Sequence, residues 1–161
     1  PAAVRYPRGS GPGTIESAVM RRIPIGKAQI RREGQGVALL AFGTMLNAAL
    51  EAAETLNATV VNMRSVKPLD TNLILDMAKA HELLVTIEEN TVLGGAGAGV
   101  SEVLSEAGCE TSMMILGLPD RHVDQGDPGV VLAKCGLDAA GICAAVQHRR
   151  PLQSVTSRSS A

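Results

Sequence analysis

The chain has 161 residues, of which 45% are hydrophobic and 19% are charged, and this composition excludes intrinsic disorder over most of its length. Its 15 basic and 16 acidic residues give a formal net charge of -1, and with one tyrosine, one phenylalanine and no tryptophan it lacks the basic surface and stacking aromatics of a nucleic-acid-binding protein. Because we find neither an apolar run near the ~20 residues of a membrane span nor a signal-peptide pattern, we expect a cytoplasmic protein without a membrane partner.

The first 23 residues lack the apolar pattern of a folded domain. Glycine and proline crowd the segment Gly9–Gly13, which is typical of a loop or linker, and the chain begins without an initiator methionine. We therefore expect a piece of a longer polypeptide, in which residues 24–150 form one domain and residues 151–161 form a disordered tail.

From residue 24 onwards, short apolar segments alternate with helical patterns. Strands are predicted at Ala28–Arg32, Val37–Phe42, Ala58–Met63, Leu83–Ile87 and Ser112–Leu116, the first of them charged as an edge strand often is. Helices are predicted from Thr44 as N-cap to Leu56, from Asp70 as N-cap to about Ala80, from the turn at 94–97 to Gly108, from Pro128 to Gly136 and from Asp138 to about His148. This alternation predicts an α/β fold, a mostly parallel sheet with helices on both faces.

Candidate functional residues cluster where the predicted strands end, the edge at which such sheets usually bind ligands. This edge carries Gly43-Thr44, Arg64, Glu88-Glu89-Asn90 and residues 117–120. Glu88 and Glu89 are adjacent on a strand, so their side chains point to opposite faces and cannot form an acid/base pair. We expect a structural or interface role for these residues, with one glutamate bonding to a helix terminus and the other meeting a partner surface.

The run GGAGAG begins at Gly94 and Gly95 and allows two interpretations. Backbone N–H groups at a helix N-terminus attract anions, which would suit a phosphate-binding loop. The run has neither the GK[ST] ending of a P-loop nor GxGxxG spacing, so we favour a tight turn that lets the helix approach the sheet.

Other polar residues carry weaker signals. Arg5 and Arg8 flank a proline, and their spacing fits a phosphate clamp and a solvated surface pair equally well. Asp120 opens the polar segment DRHVDQGD, which has no serine or cysteine nucleophile in a recognisable turn, so we expect a structural or interface role there. The three cysteines and three histidines share no ligand spacing, and no metal site is predicted.

A longer pattern of motifs identifies a family. The motifs are RYPRG, IPIGKA, FGTML, LNATVVNMRSVKPLD, LVTIEENTVLGGAGAGVSEVL, LGLPDRHVDQG and GLDAAGI. From about residue 2 to residue 148 the chain resembles the C-terminal part of the 1-deoxy-D-xylulose-5-phosphate synthases, a branch of the transketolase family. MRSVKPLD, EEN and the GGAG turn occur across the wider family, whereas RYPRG together with LPD…QG indicates the synthases.

The resemblance implies a three-layer α/β/α fold with a five-stranded, mostly parallel sheet and one antiparallel edge strand. Taken alone, the glycines at 34 and 36 favour a hairpin between the first two strands, but the family order separates these strands, and we follow it. The resemblance also implies that residues 1–23 end the preceding pyrimidine-binding domain and its linker. Part of the region 83–100 would pack against another subunit or domain.

For function, the resemblance implies a homodimeric transferase that uses thiamine diphosphate and Mg²⁺. The full-length enzyme condenses pyruvate with D-glyceraldehyde 3-phosphate, releases carbon dioxide, and gives 1-deoxy-D-xylulose 5-phosphate for isoprenoid, thiamine and pyridoxal biosynthesis. Arg5, the first arginine of RYPRG, would hold the phosphate of glyceraldehyde 3-phosphate, with Arg8 in support. His122 stands where the family usually has an aromatic residue, which puts the packing around it in question.

The family's cofactor-binding elements are missing from this sequence. Neither the GDG…N motif nor the context of the activating glutamate occurs. We therefore expect this piece to bind no cofactor or metal, to contain no catalytic residue, and to act as a scaffold or dimer-contact domain. Two alternatives stay open: the equivalent domain of a transketolase or of a 2-oxo acid dehydrogenase β chain, and a free-standing regulatory module that binds an anion.

Overall fold

A computed structural model describes residues 1–4 and 22–149, so that the predicted linker, the predicted tail, Arg5 and Arg8 lie outside the described residues. The strands are β1 (Gln29–Arg32), β2 (Val37–Ala41), β3 (Thr59–Asn62), β4 (Leu83–Thr91) and β5 (Ser112–Leu118). The helices are α1 (Leu46–Leu56), α2 (Thr71–Ala80), α3 (Ala96–Glu106), α4 (Pro128–Lys134) and α5 (Ala139–Arg149), and a 3-10 turn at Gly43–Met45 precedes α1.

The sheet has the strand order β1-β3-β2-β4-β5, with β1 antiparallel at one edge and the other four strands parallel. β1 pairs with β3, where Gln29 lies opposite Asn62, and not with β2. This confirms the mixed five-stranded sheet, whereas the hairpin that the local glycines favour is wrong. Only contacts distant in the chain separate the two arrangements, because a short glycine-containing loop can serve either.

Helices cover the sheet on both faces, which confirms the three-layer architecture. On one face α1 and α5 pack against the sheet, with Ala49, Ala53 and Ile142 buried there. On the other face α2 and α3 contribute Ile74 and Val100. All five residues of β2 are buried, as expected of the central strand of a parallel sheet, and their continuous apolar run follows from this position.

The last two helices come from a stretch longer and more apolar than the sequence analysis allowed. Pro128–Arg149 has 22 residues and reaches a mean hydropathy of 1.7, enough by length and composition to cross a membrane. The chain turns at Gly136, whose φ of 72° lies in the left-handed region, and two shorter helices result. Ile142 and Val146 of α5 are fully buried in the core, whereas α4 has no buried residue.

The predicted N-cap at Thr44 is wrong. The chain first makes the 3-10 turn, α1 begins at Leu46, and its N-cap Met45 has no side-chain hydrogen bond. The Thr44 hydroxyl instead donates a hydrogen bond of 2.6 Å to Oε2 of Glu89, 45 residues later. The Thr44 hydroxyl, which the local sequence pattern predicts as the cap of α1, therefore bonds to a residue distant in the chain instead.

Asp70 caps α2 as predicted. Its carboxylate accepts hydrogen bonds from the N–H groups of Leu73 (3.4 Å) and Ala28 (3.1 Å), and Lys27 lies 3.4 Å away. Burial by itself would raise the pKa of Asp70, but the two N–H groups and Lys27 outweigh it, and the pKa lies below its ordinary value. Asp70 therefore also connects the segment that precedes β1 with the start of α2.

We expect Asp70→Ala to lower the free energy of unfolding by about 1–2 kcal/mol at neutral pH, because a helix cap is lost. Since the folded-state pKa is lowered, the carboxylate stabilises the wild type above the unfolded pKa of about 3.9, and this contribution disappears as the pH falls through the folded-state pKa. Urea unfolding between pH 7 and pH 2.5 should show the two proteins converging in acid. Asp76→Ala, an exposed position of the same helix, is the control; a constant gap between wild type and Asp70→Ala would contradict the prediction.

Candidate functional site

The carboxyl edge of the sheet is the candidate site. β2, β3, β4 and β5 end there, and β1 begins there because it runs antiparallel. From β2 the chain continues to β3 on one side and later returns to β4 on the other, so a crevice opens between the ends of β2 and β4. A cleft of about 330 Å³ occupies this crevice, lined by Phe42, Gly43, Val66, Glu88, Glu89, Asn90, Gly94, Gly95 and Ala96.

Glu88 is the buried member of the acidic pair and closes the N-terminus of α3. It is only 3% exposed, and its two carboxylate oxygens each accept a backbone hydrogen bond of 2.8 Å, from Ala96 and from Gly97. A carboxylate at this position satisfies two otherwise unpaired N–H groups and complements the positive end of the helix dipole. The helix terminus that a phosphate-binding loop would use is therefore filled by a side chain of the same domain.

The glycine run lets α3 approach the sheet closely. A Cβ on Gly95 would lie 2.5 Å from Oε2 of Glu88, and one on Gly97 would lie 2.5 Å from the Thr86 hydroxyl oxygen. Both distances are too short for any larger residue without displacement of the helix. The run thus serves as the tight turn that the sequence analysis favoured over a phosphate loop.

Glu89 is the exposed member of the pair and stands between two clefts. Its neighbour in sequence, Asn90, lines the 330 Å³ cleft with it. On the other side a cleft of about 260 Å³ lies between Glu89, the end of β5 at Leu118 and the start of α4. The bond from Thr44 joins Glu89 to the turn that follows β2, so the carboxylate is held at the mouth of the crevice.

Arg64 also lies at this edge, and its backbone conformation could not be predicted from the sequence. It follows β3 with φ at 57°, a left-handed conformation that is uncommon and mildly strained for a residue with a side chain. Its N–H donates to Oδ1 of Asn62 at 3.2 Å, and its guanidinium donates to Oε1 of Gln29. An exposed arginine is thereby fixed at the edge, where it can bind a phosphate or carboxylate bidentately.

The loop after β5 forms a third concave surface. Asp120 is exposed at its start, and a cleft of about 220 Å³ lies between residues 121–127 and α4. His122 lines this cleft on the exposed side, so the position where the family has an aromatic residue does not belong to the core. Cys135 also lines the cleft, at the end of α4.

Large exposed apolar side chains gather at the same edge. In the described part of the chain they are Val4, Ile23, Ile25, Ile30, Val66, Leu93 and Val130. Val66 and Leu93 follow β3 and β4, Val130 lies in α4 beyond the end of β5, and Ile23 and Ile25 precede β1. Five of these residues thus lie at the carboxyl edge of the sheet.

The sequence-predicted residues are brought together in part. Glu88, Glu89, Asn90, Gly94 and Gly95 meet in one crevice, and Asp120 lies on the neighbouring loop. The exposed apolar residues Val66 and Leu93 were not predicted as part of the site. Both follow predicted strands, and this position could have indicated that they lie at the carboxyl edge.

The described residues do not fit thiamine diphosphate or its magnesium ion. They contain no group of three or more His, Cys, Asp or Glu side chains able to hold a metal ion. The glycine-rich helix N-terminus, which could receive a diphosphate, is occupied by the Glu88 carboxylate. We therefore assign no cofactor contact to these residues.

Comparison of the sequence with known proteins shows to which family it is similar. The family model described as "Transketolase, C-terminal domain" matches residues 26–142. The chain is 58% identical over 151 residues to 1-deoxy-D-xylulose-5-phosphate synthase of Nitrosospira multiformis, covering 94% of this chain and 25% of that protein. It is 57% identical over 159 residues to the protein of the same name from Thioalkalivibrio sulfidiphilus, covering 99% and 24%. The chain thus spans about a quarter of the length of these relatives.

Solved structures share the architecture. A split-gene transketolase, described as an inactive β4 tetramer, superimposes with a TM-score of 0.72 at 37% identity over 80% of this chain and 42% of its own. Transketolase from Campylobacter jejuni gives a TM-score of 0.57 at 15% identity over 83% of this chain and 20% of its own, which shows the fold alone.

Proposed function

Because this chain belongs to the family of transketolase C-terminal domains, we propose that it is the C-terminal domain of a 1-deoxy-D-xylulose-5-phosphate synthase. The observation that carries the proposal is the identity of 54–58% to proteins of that name over nearly the whole chain. The full-length protein is then a thiamine-diphosphate-dependent transferase. It condenses pyruvate with D-glyceraldehyde 3-phosphate and releases carbon dioxide, requires Mg²⁺, and acts as a cytoplasmic homodimer. Assay of the full-length protein with these two substrates tests the proposal, and a failure to form 1-deoxy-D-xylulose 5-phosphate would reject it.

The proposed work of this domain is to pack its carboxyl edge against the rest of the enzyme. The exposed residues Val66 and Leu93 support this, because they are 57% and 72% exposed and follow β3 and β4 at this edge, where Val66 lines the crevice. A large apolar side chain exposed at such a position gains stability when a partner surface buries it. Dimer contacts by the same domain are part of the proposal.

We propose that arginine side chains of this chain bind the phosphate of the substrate. Arg5 is assigned to the phosphate of glyceraldehyde 3-phosphate, and Arg8 is assigned a supporting role. The described chain resumes at Arg22 and leads into β1, which begins at the carboxyl edge. Arg64 is held at that edge by Gln29, so we add it as a second ligand for the same phosphate.

The N-terminus of α3 gives no support to the alternative of a regulatory anion-binding module. The helix terminus such a module would use holds Glu88, and a second anion there would face a buried carboxylate. The names of the relatives also favour the synthase over another thiamine-diphosphate enzyme.

We expect the 161-residue chain by itself to have no synthase activity and no affinity for thiamine diphosphate, since its sequence lacks the GDG…N motif and the N-terminus of α3 is filled by Glu88. Calorimetry with thiamine diphosphate and Mg²⁺ checks this. The full-length protein under the same conditions is the positive control. Micromolar binding to the 161-residue chain that depends on magnesium would contradict the prediction.

A further inference from the structure

Glu89, which lines the crevice, has a carboxylate oxygen without a partner in the described part of the chain. A carboxylate offers about four acceptor positions, and one of them takes the Thr44 hydroxyl through Oε2. Among residues 1–4 and 22–149, Oε1 of Glu89 has no hydrogen-bond or ion-pair partner. The residue is exposed, so water satisfies this oxygen in the domain as it stands.

The surroundings of Glu89 change if the carboxyl edge is covered, as the proposed function requires. Val66 lines the crevice together with Glu89, so a surface that buries Val66 also removes water from the crevice. A carboxylate that loses water without gaining a charged partner costs several kcal/mol. Glu88 meets this cost with the N–H groups of Ala96 and Gly97, which are thereby used, so the partner of opposite charge for Glu89 is a cation on the covering surface.

The shape of the crevice suits a long basic side chain. Phe42 and Val66 provide apolar walls for an aliphatic stem, and the charged head would meet Glu89. Gly43 and Gly94 line the same cleft, and no atom lies within 4 Å of the position a Cβ would take on either. The entrance is thus open on both sides.

The covering surface belongs to the part of the polypeptide that precedes the domain. The relatives are about four times as long as this chain, and the matching family model describes a C-terminal domain. The chain enters the fold at the carboxyl edge, next to Ile23 and Ile25, so that the preceding domains are delivered to this edge.

Resting on the proposed function, we infer that the crevice between Glu89 and Val66 receives an arginine or lysine side chain from the upstream domains of the same enzyme chain. The contact pairs the free oxygen of Glu89 with that cation, while Thr44 holds the other oxygen. Glu89 is in this sense an interface residue, distinct from its buried neighbour Glu88.

The test compares backbone amide exchange at residues 42–45 and 89–95 in the full-length protein and its variants. Glu89→Arg, which brings a like charge into the crevice, should accelerate exchange there about tenfold or more beyond Thr44→Val, which removes only the Thr44 hydrogen bond; a loss near 1.4 kcal/mol is a factor of ten. Glu102→Arg, at an exposed position of α3, is the matched control and should leave these amides unchanged. Leu93→Asp tests the covering of the edge independently of Glu89.

The outcomes separate the inference from the function on which it rests. Accelerated exchange in Glu89→Arg and Leu93→Asp, with none in Glu102→Arg, supports both. Acceleration in Leu93→Asp alone overturns the cation contact and leaves the covered edge in place. No acceleration in either variant overturns the covered edge as well. If the acceleration depends on protein concentration, the cation comes from a second copy of the protein. That result would overturn the inference that the upstream domains of the same chain supply it.

Discussion

Replacement of Glu88 by leucine is expected to destabilise the 161-residue chain by about 2–6 kcal/mol, a large share of the 5–15 kcal/mol that stabilises a typical domain. The substitution leaves the N–H groups of Ala96 and Gly97 without acceptors in a buried position. Each buried donor left unpaired costs about 1–3 kcal/mol. The positive end of the α3 dipole would also lose its countercharge.

Chemical denaturation followed by circular dichroism measures this effect. Glu102→Leu, at an exposed position of the same helix, should change the free energy of unfolding by less than about 0.5 kcal/mol and is the matched control. Glu88→Gln keeps one acceptor oxygen and should fall between the two. Equal stability of Glu88→Leu and Glu102→Leu would show that the two N–H groups find other partners.

The second large effect is expected in the full-length enzyme, where Arg5→Ala should raise KM for glyceraldehyde 3-phosphate and leave KM for pyruvate nearly unchanged. The proposed contact is a charge-assisted hydrogen bond to a phosphate dianion, worth about 1.5–3 kcal/mol. Its loss corresponds to a roughly tenfold to hundredfold lower kcat/KM for the phosphorylated acceptor. Pyruvate carries no phosphate and does not use this contact.

Steady-state kinetics with phosphorylated and unphosphorylated acceptor aldehydes isolates the phosphate contact. The loss should be large only for the phosphorylated acceptor, and Arg64→Ala should show the same selectivity if both arginines bind the phosphate. Arg121→Ala, on the exposed loop after β5, is the control. Equal losses for both acceptors would assign Arg5 to the domain structure, and the phosphate assignment would be withdrawn.

Much of the fold follows from local sequence. The continuous apolar run of β2 predicted a buried central strand, because only a strand covered on both faces can be apolar at every position. Asp70 predicted the start of α2, because its side chain can reach the N–H three residues later without help from the rest of the protein. The divergence of Glu88 and Glu89 likewise follows from strand geometry alone.

The arrangement of the strands did not follow from local sequence in the same way. The loop between β1 and β2 is short enough for a hairpin, yet β1 pairs with β3. β1 occupies the edge beside β3 in the final sheet, and this placement depends on contacts between residues far apart in the chain. The motifs of a known family supplied this order where periodicity could not.

By itself, then, the sequence determined the element types, the central strand, the α2 cap and the family, since each depends on neighbouring residues or on motifs. Only the tertiary structure decided which glutamate caps α3, why Thr44 leaves its own helix for Glu89, and that Arg64 takes a left-handed conformation beside Gln29. The physical reason is the same in each case. A polar side chain bonds to the partner that folding brings nearest, and that partner lies eight to forty-five residues away in the chain.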